Sequence, residues 1–422
     1  MNIKSRDYVS AVREQLAQMN ANGRMTVAYF IDSYFPLVDG VVSVLHNYAT
    51  HLKDRINVIV CAPAHKKEQV DQDYLVVSSR SFYFGLIHYD CAMPKGDRQL
   101  KQLLSEARID LIHLHSPFLL GAYGLKLARE RGIPVVATFH SQYKKDFINY
   151  THSKLLASIL LKKIMKVFKG VDCVYTMHES SRNTLISYGY RGAVRRLPNA
   201  TNETYAEHPE ELIARVNRQF GLEGKQNVLL FVGRLTRVKN IFFILEILDL
   251  LMQRNFPFHM VFVGDGPDEK PLKKQAEESG LSERITFTGS IRDRELLKGL
   301  YLRSDLFLFP SCYDVSSIVQ IEAASQKLCG LFVSGSVTSC TIQDNVTGFL
   351  CEEDSKKFAD KIVEIFSDPE KLERVSQQAY EKLYVNWDML VERILPEYQD
   401  IIRQYGGKAE APEPKVLPAQ SE

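Results

Sequence analysis

The chain returns again and again to one pattern: a short run dense in Val, Ile, Leu and Phe, a loop, and then a stretch of helical periodicity. MTVAYFI from Met25, INVIVCAP from Ile56, IDLIHLH from Ile109, IPVVATF from Ile133 and VDCVYT from Val171 carry it in the first half. QNVLLFV from Gln226, FHMVFV from Phe258, ITFTG from Ile285, SDLFLF from Ser304 and GLFVSG from Gly330 carry it in the second. Runs that are apolar at every position are strands buried on both faces, and strands separated by helices pair in parallel beneath them. The predicted fold class is therefore α/β, with a parallel sheet covered by helices on both sides.

A chain of 422 residues exceeds one ordinary core, so two domains are expected. RRLPNATNETY, from Arg195 to Tyr205, has turn composition near mid-chain and marks the linker. The expected domains are residues 23–200 and 201–385, preceded by a helical extension over 1–22. That extension shows Tyr8, Val9, Val12, Leu16 and Met19 at helical spacing. Leu372 to Leu395 is helical in composition, and Pro396 is expected to kink or break it. The tail over 406–422 is polar and Pro-rich and is expected to be disordered.

Charge narrows the function. Lys and Arg number 53 against 51 Asp and Glu, so nothing in the overall balance suits a polyanion, and no nucleic-acid partner is expected. Seven cysteines lie scattered without a C-x-x-C pair, which points to a reducing cytoplasm and away from zinc or a disulfide framework. The first twenty residues lack the apolar core of a signal peptide, and no run approaches the length of a membrane span.

In the second half, PSCYDVSSIVQIE from Pro310 sets Asp314 and Glu322 seven residues apart, between a buried strand and a helix. Free N–H groups at such a helix start face the crevice where α/β folds bind anions. Arg234 and Lys239 stand in the loop after the first strand of this domain, again just before a helix. A guanidinium and an ammonium beside a helix start suit a diphosphate, and carboxylates suit hydroxyls, so a ligand bearing both is a sugar nucleotide. The plainer alternative is that Asp314 caps the helix, Glu322 is solvated and the cations form surface ion pairs.

In the first half, Gly40 precedes a helix expected to begin at Val41, and a glycine there lets a ligand approach the backbone. His113, His115, Ser116, His140 and Ser141 fall at the carboxyl ends of strands. Between Tyr150 and Gly170, Lys154, Lys162, Lys163, Lys166 and Lys169 interleave with leucines and isoleucines, the composition of a basic amphipathic helix. Such a helix either packs on a sheet with solvated lysines or lies in an anionic headgroup layer.

GRLTRVKN from Gly233, VGDGP from Val263, FTG from Phe287, the D-x7-E from Asp314 and VTGFL from Val346 occur in the order found in retaining glycosyltransferases of family 4. DSYFPLVDGVV, HSPFLLG and TFHSQY in the first half are similar to that family's sugar-nucleotide and acceptor loops. The resemblance spans about residues 25–400. It implies the GT-B architecture: two Rossmann-like, doubly wound domains facing across a cleft, with a C-terminal helix over 386–405 crossing back to the first.

Position by position, the resemblance gives Arg234 and Lys239 the donor diphosphate and Gly40 a backbone contact to it. Glu322 takes the nucleotide ribose, Asp314 the hydroxyls of the transferred sugar, and His140 touches that sugar from the first domain. Gly233, Ile291, Ser316, Ser317 and Ile318 complete the expected donor site, the stretch from Val315 to Val319 offering backbone N–H groups. Asp314 stands where the family usually has Glu, and Ser317 where it usually has Gly. TFHSQYKKDFINY resembles the corresponding segment of bacterial diacylglycerol glucosyltransferases. The implied activity is transfer of a hexose, glucose, from a UDP-sugar to a membrane lipid such as diacylglycerol, without a metal or other cofactor. The enzyme is then expected on the cytoplasmic membrane face, held through the basic helix Lys154–Lys169. The alternatives are the same chemistry on a soluble or polymer-linked sugar, or a noncatalytic sugar-nucleotide-binding partner.

Overall fold

A computed structural model of the chain describes residues 6–37, 39–65, 72–84, 89–312, 314 and 317–406. The described residues form two compact units, those up to 197 together with 387–406, and those within 198–386. The tail expected to be disordered lies, from residue 407, outside the described residues.

The first unit opens with α1 (Arg6–Ala21), β1 (Thr26–Phe30), α2 (Gly40–Leu52), β2 (Asn57–Pro63), β3 (Leu75–Ser79), and a hairpin of β4 (Ser81–Phe84) and β5 (Tyr89–Ala92). It continues with α3 (Arg98–Glu106), β6 (Leu111–Leu114), α4 (Leu119–Arg131), β7 (Val135–Thr138), α5 (Tyr143–Thr151), α6 (Lys154–Gly170), β8 (Cys173–Thr176), α7 (Glu179–Ser187) and β9 (Ala193–Arg196). Among the described residues the sheet runs β3-β2-β1-β6-β7-β8-β9, all parallel. Strand order therefore reverses between β1 and β6, and the loops leaving those two strands open a crevice there.

The second unit holds α8 (Pro209–Phe220), β10 (Val228–Val232), α9 (Ile241–Gln253), β11 (His259–Val263), α10 (Glu269–Glu278), β12 (Ile285–Gly289), α11 (Arg294–Arg303) and β13 (Leu306–Leu308). After these come α12 (Ile318–Ser325), β14 (Gly330–Val333), β15 (Phe349–Cys351), α13 (Ser355–Phe366) and α14 (Pro369–Leu383). Its sheet runs β12-β11-β10-β13-β14-β15, again parallel, with the reversal between β10 and β13. Every residue of β10 and β11 is buried, which is why these runs read as uniformly apolar rather than alternating.

Two local expectations change. The first two residues of the segment read as linker, Arg195 and Arg196, belong to the edge strand β9 (Ala193–Arg196), and Arg195 ion-pairs with Glu397 at 2.7 Å and Asp400 at 2.6 Å. The basic helix expected over Lys154–Lys169 forms as α6: His152, at a left-handed φ of 50°, ends α5 before it, and Ser153 caps α6 through its side chain.

Pro396 breaks nothing. The last helix, α15 (Trp387–Tyr405), runs through it, and the interruption falls instead between Leu383 and Trp387. An interior proline removes one helical hydrogen bond and costs about 3 kcal/mol. Trp387, Leu390, Val391 and Ile394 before it, and Tyr398 and Ile401 after it, are buried in the first unit. Each such side chain contributes roughly 1.5–3 kcal/mol, which outweighs the lost bond.

Candidate active site

In the second unit the candidates come from the loops that leave β10 and β13, one on each side of the strand reversal. Gly233 ends β10, and its amide donates to Val263 O at 3.0 Å, while Leu235 N donates to Asp265 O at 2.8 Å. Gly264 N in turn donates to Gly289 O at 2.9 Å, so the three loops are laced together. A Cβ on Gly264 would collide with the Gly233 carbonyl, and one on Gly266 with the Leu235 carbonyl. Gly264 also sits at φ +129°, a backbone conformation open to glycine. The spacing of VGDGP is thus dictated by the backbone approach that holds the Arg234 loop.

Arg234 is exposed and its side chain forms no hydrogen bond or ion pair with a described residue. Lys239 ends a 3-10 turn over Arg237–Lys239 and ion-pairs with Oδ1 of Asp314. The other carboxylate oxygen, Oδ2, is buried and has no partner among the described residues. Asp314 does not cap the following helix. That position belongs to Ser317, whose own side chain makes no capping bond and whose φ of −82° requires no glycine. Ile318 opens the helix, and Ser316 lies outside the described residues. Ile291 is half-buried against the core of this unit, just beyond β12.

Glu322 is not solvated either. It is 6% exposed, accepts from Arg294 Nη2 at 2.6 Å through Oε1, and from the Tyr301 hydroxyl at 3.0 Å through Oε2. Arg294 Nε also donates to Glu203 Oε1 at 2.8 Å. Burial opposes the Arg294 charge, but Glu322 and Glu203 outweigh it and raise its pKa. Burial, reinforced by Glu322, raises that of Tyr301. Sequence reasoning missed all three partners. Arg294 and Tyr301, seven apart on one helix, share a face and carried a readable signal; Glu203, in a turn-rich segment, carried none.

In the first unit, α2 begins at Gly40 rather than Val41, and a Cβ on Gly40 would meet open space. Asp39 caps this helix, accepting from Val41 N and Val42 N at 2.8 Å each. The helix start expected to greet an anion thus already holds a carboxylate of the chain. Asp32, at the end of β1, accepts from Ser116 Oγ at 2.7 Å and Leu120 N at 2.6 Å, and so caps α4 from outside it. Burial raises its pKa against these hydrogen bonds.

The histidines at the strand ends form one cluster. His113 bonds Tyr398 Oη through Nδ1 and Thr138 Oγ1 through Nε2, both at 2.7 Å. His140 Nε2 lies 3.2 Å from His115 Nδ1, the two rings stacked. Burial pushes His113 and His140 down to about 3, and His115 well below its usual value, so all three imidazoles are neutral at pH 7. The structure gives His113 a packing role against α15, and His140 is buried as well, against His115. His178 is a helix cap, its Nδ1 accepting from Ser181 N at 3.1 Å.

Along α5, α6 and α7 a groove of about 830 Å³ is lined by Lys144, Lys145, Lys162, Lys166 and Lys169 over Leu161, Met165 and Tyr188. None of these lysines ion-pairs with a described residue. Nearby on the same helix pair, Tyr150 is 68% and Leu155 75% exposed, with Leu156 and Ile159 also outside. No helix among the described residues is long and apolar enough to cross a membrane, and no group of three described side chains could hold a metal ion.

Residues 38–205 match the family profile described as Glycosyltransferase Family 4, and residues 213–382 that described as Glycosyl transferases group 1. The chain is 26% identical over 305 residues to alpha-monoglucosyldiacylglycerol synthase of Streptococcus pneumoniae, covering 71% of this chain and 69% of the relative. The synthase of the same name from Acholeplasma laidlawii is 24% identical over 377 residues, 84% of this chain and 92% of the relative. Anabaena HepE, solved in complex with UDP-glucose, superposes with a TM-score of 0.68 at 18% identity, over 89% of this chain and all (100%) of that one. Two parallel, doubly wound sheets, with the candidate loops at the strand reversals and profile matches across both units, place the chain among the glycosyltransferases of family 4, with the Rossmann-like domain pair of the GT-B fold.

Proposed function

We propose that the protein is a retaining glycosyltransferase that moves glucose from UDP-glucose to a membrane lipid of the diacylglycerol type. The observation that carries this reading is the meeting of Lys239 and Asp314, with Arg234 in the same loop as Lys239 and without a partner among the described residues: cations for a diphosphate and a carboxylate for sugar hydroxyls. Arg234 and Lys239 neutralise the departing diphosphate as its charge develops, in a partly enclosed site where such stabilisation is strong. Asp314 then exchanges the ammonium for hydroxyls of the transferred hexose, its second oxygen already buried and unpartnered among the described residues. Glu322 takes the ribose. Gly40 offers its backbone to the diphosphate, and His140 meets the sugar as a neutral imidazole. In transfer with retention the acceptor hydroxyl enters on the side from which the diphosphate leaves, so no protein nucleophile is required.

Two further observations support donor and acceptor. HepE holds UDP-glucose in its crystals, and the pneumococcal and Acholeplasma relatives are named as synthases of a glucosyldiacylglycerol. The lysine groove beside exposed Tyr150, Leu155, Leu156 and Ile159 combines charge for anionic headgroups with apolar side chains for the acyl boundary. On this reading the enzyme is peripheral to the cytoplasmic membrane face.

The test is a donor-by-acceptor screen that follows nucleoside diphosphate release. UDP-glucose and GDP-mannose are offered with diacylglycerol in phosphatidylglycerol vesicles or with soluble sugars. Release from UDP-glucose that depends on diacylglycerol is the expected result. Release that depends only on a soluble sugar overturns the lipid acceptor, and the absence of release from any donor overturns the enzyme.

A further inference from the structure

The partners of Glu322 form an arrangement that the donor-site reading does not need and that structural support alone does not explain. One guanidinium, Arg294, serves two carboxylates, Glu322 at 2.6 Å and Glu203 at 2.7 Å. Both carboxylate side chains are nearly shut off from solvent, 7% and 8% exposed, whereas that of Arg294 is 51% exposed. Lys298, 3.7 Å from the second Glu203 oxygen, supplies the charge that the pair of acids otherwise lacks. Glu203 is therefore held by two cations and acts as a fixed anchor on the far side of Arg294.

The hydrogen-bond arithmetic at Glu322 is equally specific. An ionised carboxylate has about four acceptor positions, two on each oxygen. Arg294 fills one on Oε1 and Tyr301 one on Oε2. One position remains on each oxygen, which matches the two adjacent hydroxyls of a ribose. Removing Arg294 leaves a buried carboxylate whose remaining side-chain partner is the Tyr301 hydroxyl, free to rotate and so to turn an acceptor away from the sugar.

We propose that Arg294, anchored by Glu203, is a positioning residue that keeps Glu322 aimed at the ribose, and so sets the preference for a ribonucleotide over its 2′-deoxy counterpart. The proposal rests on the reading of Glu322 as the ribose carboxylate. It assigns Arg294 no contact with the reacting atoms.

Titration calorimetry with UDP and 2′-deoxy-UDP tests it on the full-length protein, with thermal unfolding as the check on fold. The wild type is expected to bind UDP about tenfold more tightly than the deoxy nucleotide, the size of one hydrogen bond to a charged group. Glu322→Gln and Arg294→Met are both expected to bring that ratio close to one, and Arg294→Lys to restore part of it. Glu203→Gln, which leaves Glu322 and Arg294 in place, is expected to lower the ratio partway. A wild-type ratio near one, or Glu322→Gln binding UDP as the wild type does, overturns the donor-site reading together with this one. A Glu322→Gln that loses the ratio beside a folded Arg294→Met that keeps it overturns the positioning role alone. Should Arg294→Met fail to fold, an unchanged ratio in Glu203→Gln overturns it equally.

Discussion

Lys239 and Asp314 are paired where the loops of β10 and β13 part, an ammonium and a carboxylate neutralising one another in the crevice of the second unit. Under the proposed function the pair is an internal competitor for the donor, because the diphosphate would need the cation that the carboxylate now holds. Asp314→Ala is therefore expected to tighten UDP binding several-fold while lowering turnover at least a hundredfold, the scale for losing a polar group aligned on the reacting sugar. Calorimetry and steady-state rates check the two halves, and weaker UDP binding contradicts the competition.

Lys239→Ala removes the cation and leaves Asp314 without its ion-pair partner. The expected outcome is a loss of about a hundred- to a thousandfold in turnover, with UDP binding weakened as well. A rate within a few-fold of the wild type would show that the diphosphate is neutralised elsewhere.

Gly264→Ala places a methyl against the Gly233 carbonyl at a φ of +129°. Overpacking and backbone strain together are expected to destabilise the second unit by roughly 2–4 kcal/mol, measured by urea denaturation. Gly40→Ala, which meets open space, is expected to leave stability within about 0.5 kcal/mol of the wild type.

The histidine cluster makes stability depend on acid. His113 and His140 are held near pKa 3 by burial, and an unfolded imidazole titrates near 6.5. Between those values the unfolded chain binds more protons, so stability is full above about pH 6.5 and falls as pH drops toward 3. Each imidazole contributes a slope of up to about 1.4 kcal/mol per pH unit. Denaturation at pH 7, 6 and 5 should show the decline, and His113→Gln should flatten it.

Tyr398 bonds His113 at 2.7 Å and Tyr29 at 3.2 Å from the middle of α15. Tyr398→Phe strands both buried partners and is expected to cost about 1–3 kcal/mol. Limited proteolysis should show earlier cleavage after Trp387, where the helix begins.

Lys162→Gln, Lys166→Gln and Lys169→Gln combined are expected to weaken binding to phosphatidylglycerol vesicles about a hundredfold, on the basis of roughly 1 kcal/mol for each lysine near an anionic surface. Vesicle sedimentation at low and high salt reads this. Binding that resists both the substitutions and the salt would be apolar in origin.

The alternation of apolar runs and helices was enough to read two parallel, doubly wound domains, because uniform burial leaves an unbroken apolar signature in β1, β10 and β11. The glycines of VGDGP were legible for a similar reason: a local backbone approach permits no other residue. The candidate cations and carboxylates were legible as residue types beside helix starts. Their pairing was not, since Lys239 and Asp314 stand 75 residues apart and meet only through the β10–β13 register. Pro396 misled because local propensity weighs one lost hydrogen bond, and burial along the whole of α15 weighs more.

By itself the sequence determined the class of fold, the alternation of buried strands and helices, and the kinds of side chain brought to the strand ends it named, all properties carried by neighbouring residues. Only the tertiary structure decided that Asp314 faces an ammonium rather than a helix start, that Glu322 lies buried between Arg294 and Tyr301, and that Asp39 already fills the start of α2. The physical reason is distance along the chain: propensity and periodicity act over a few residues, whereas the charge and hydrogen-bond partners of a site come from strands that the sheet brings together.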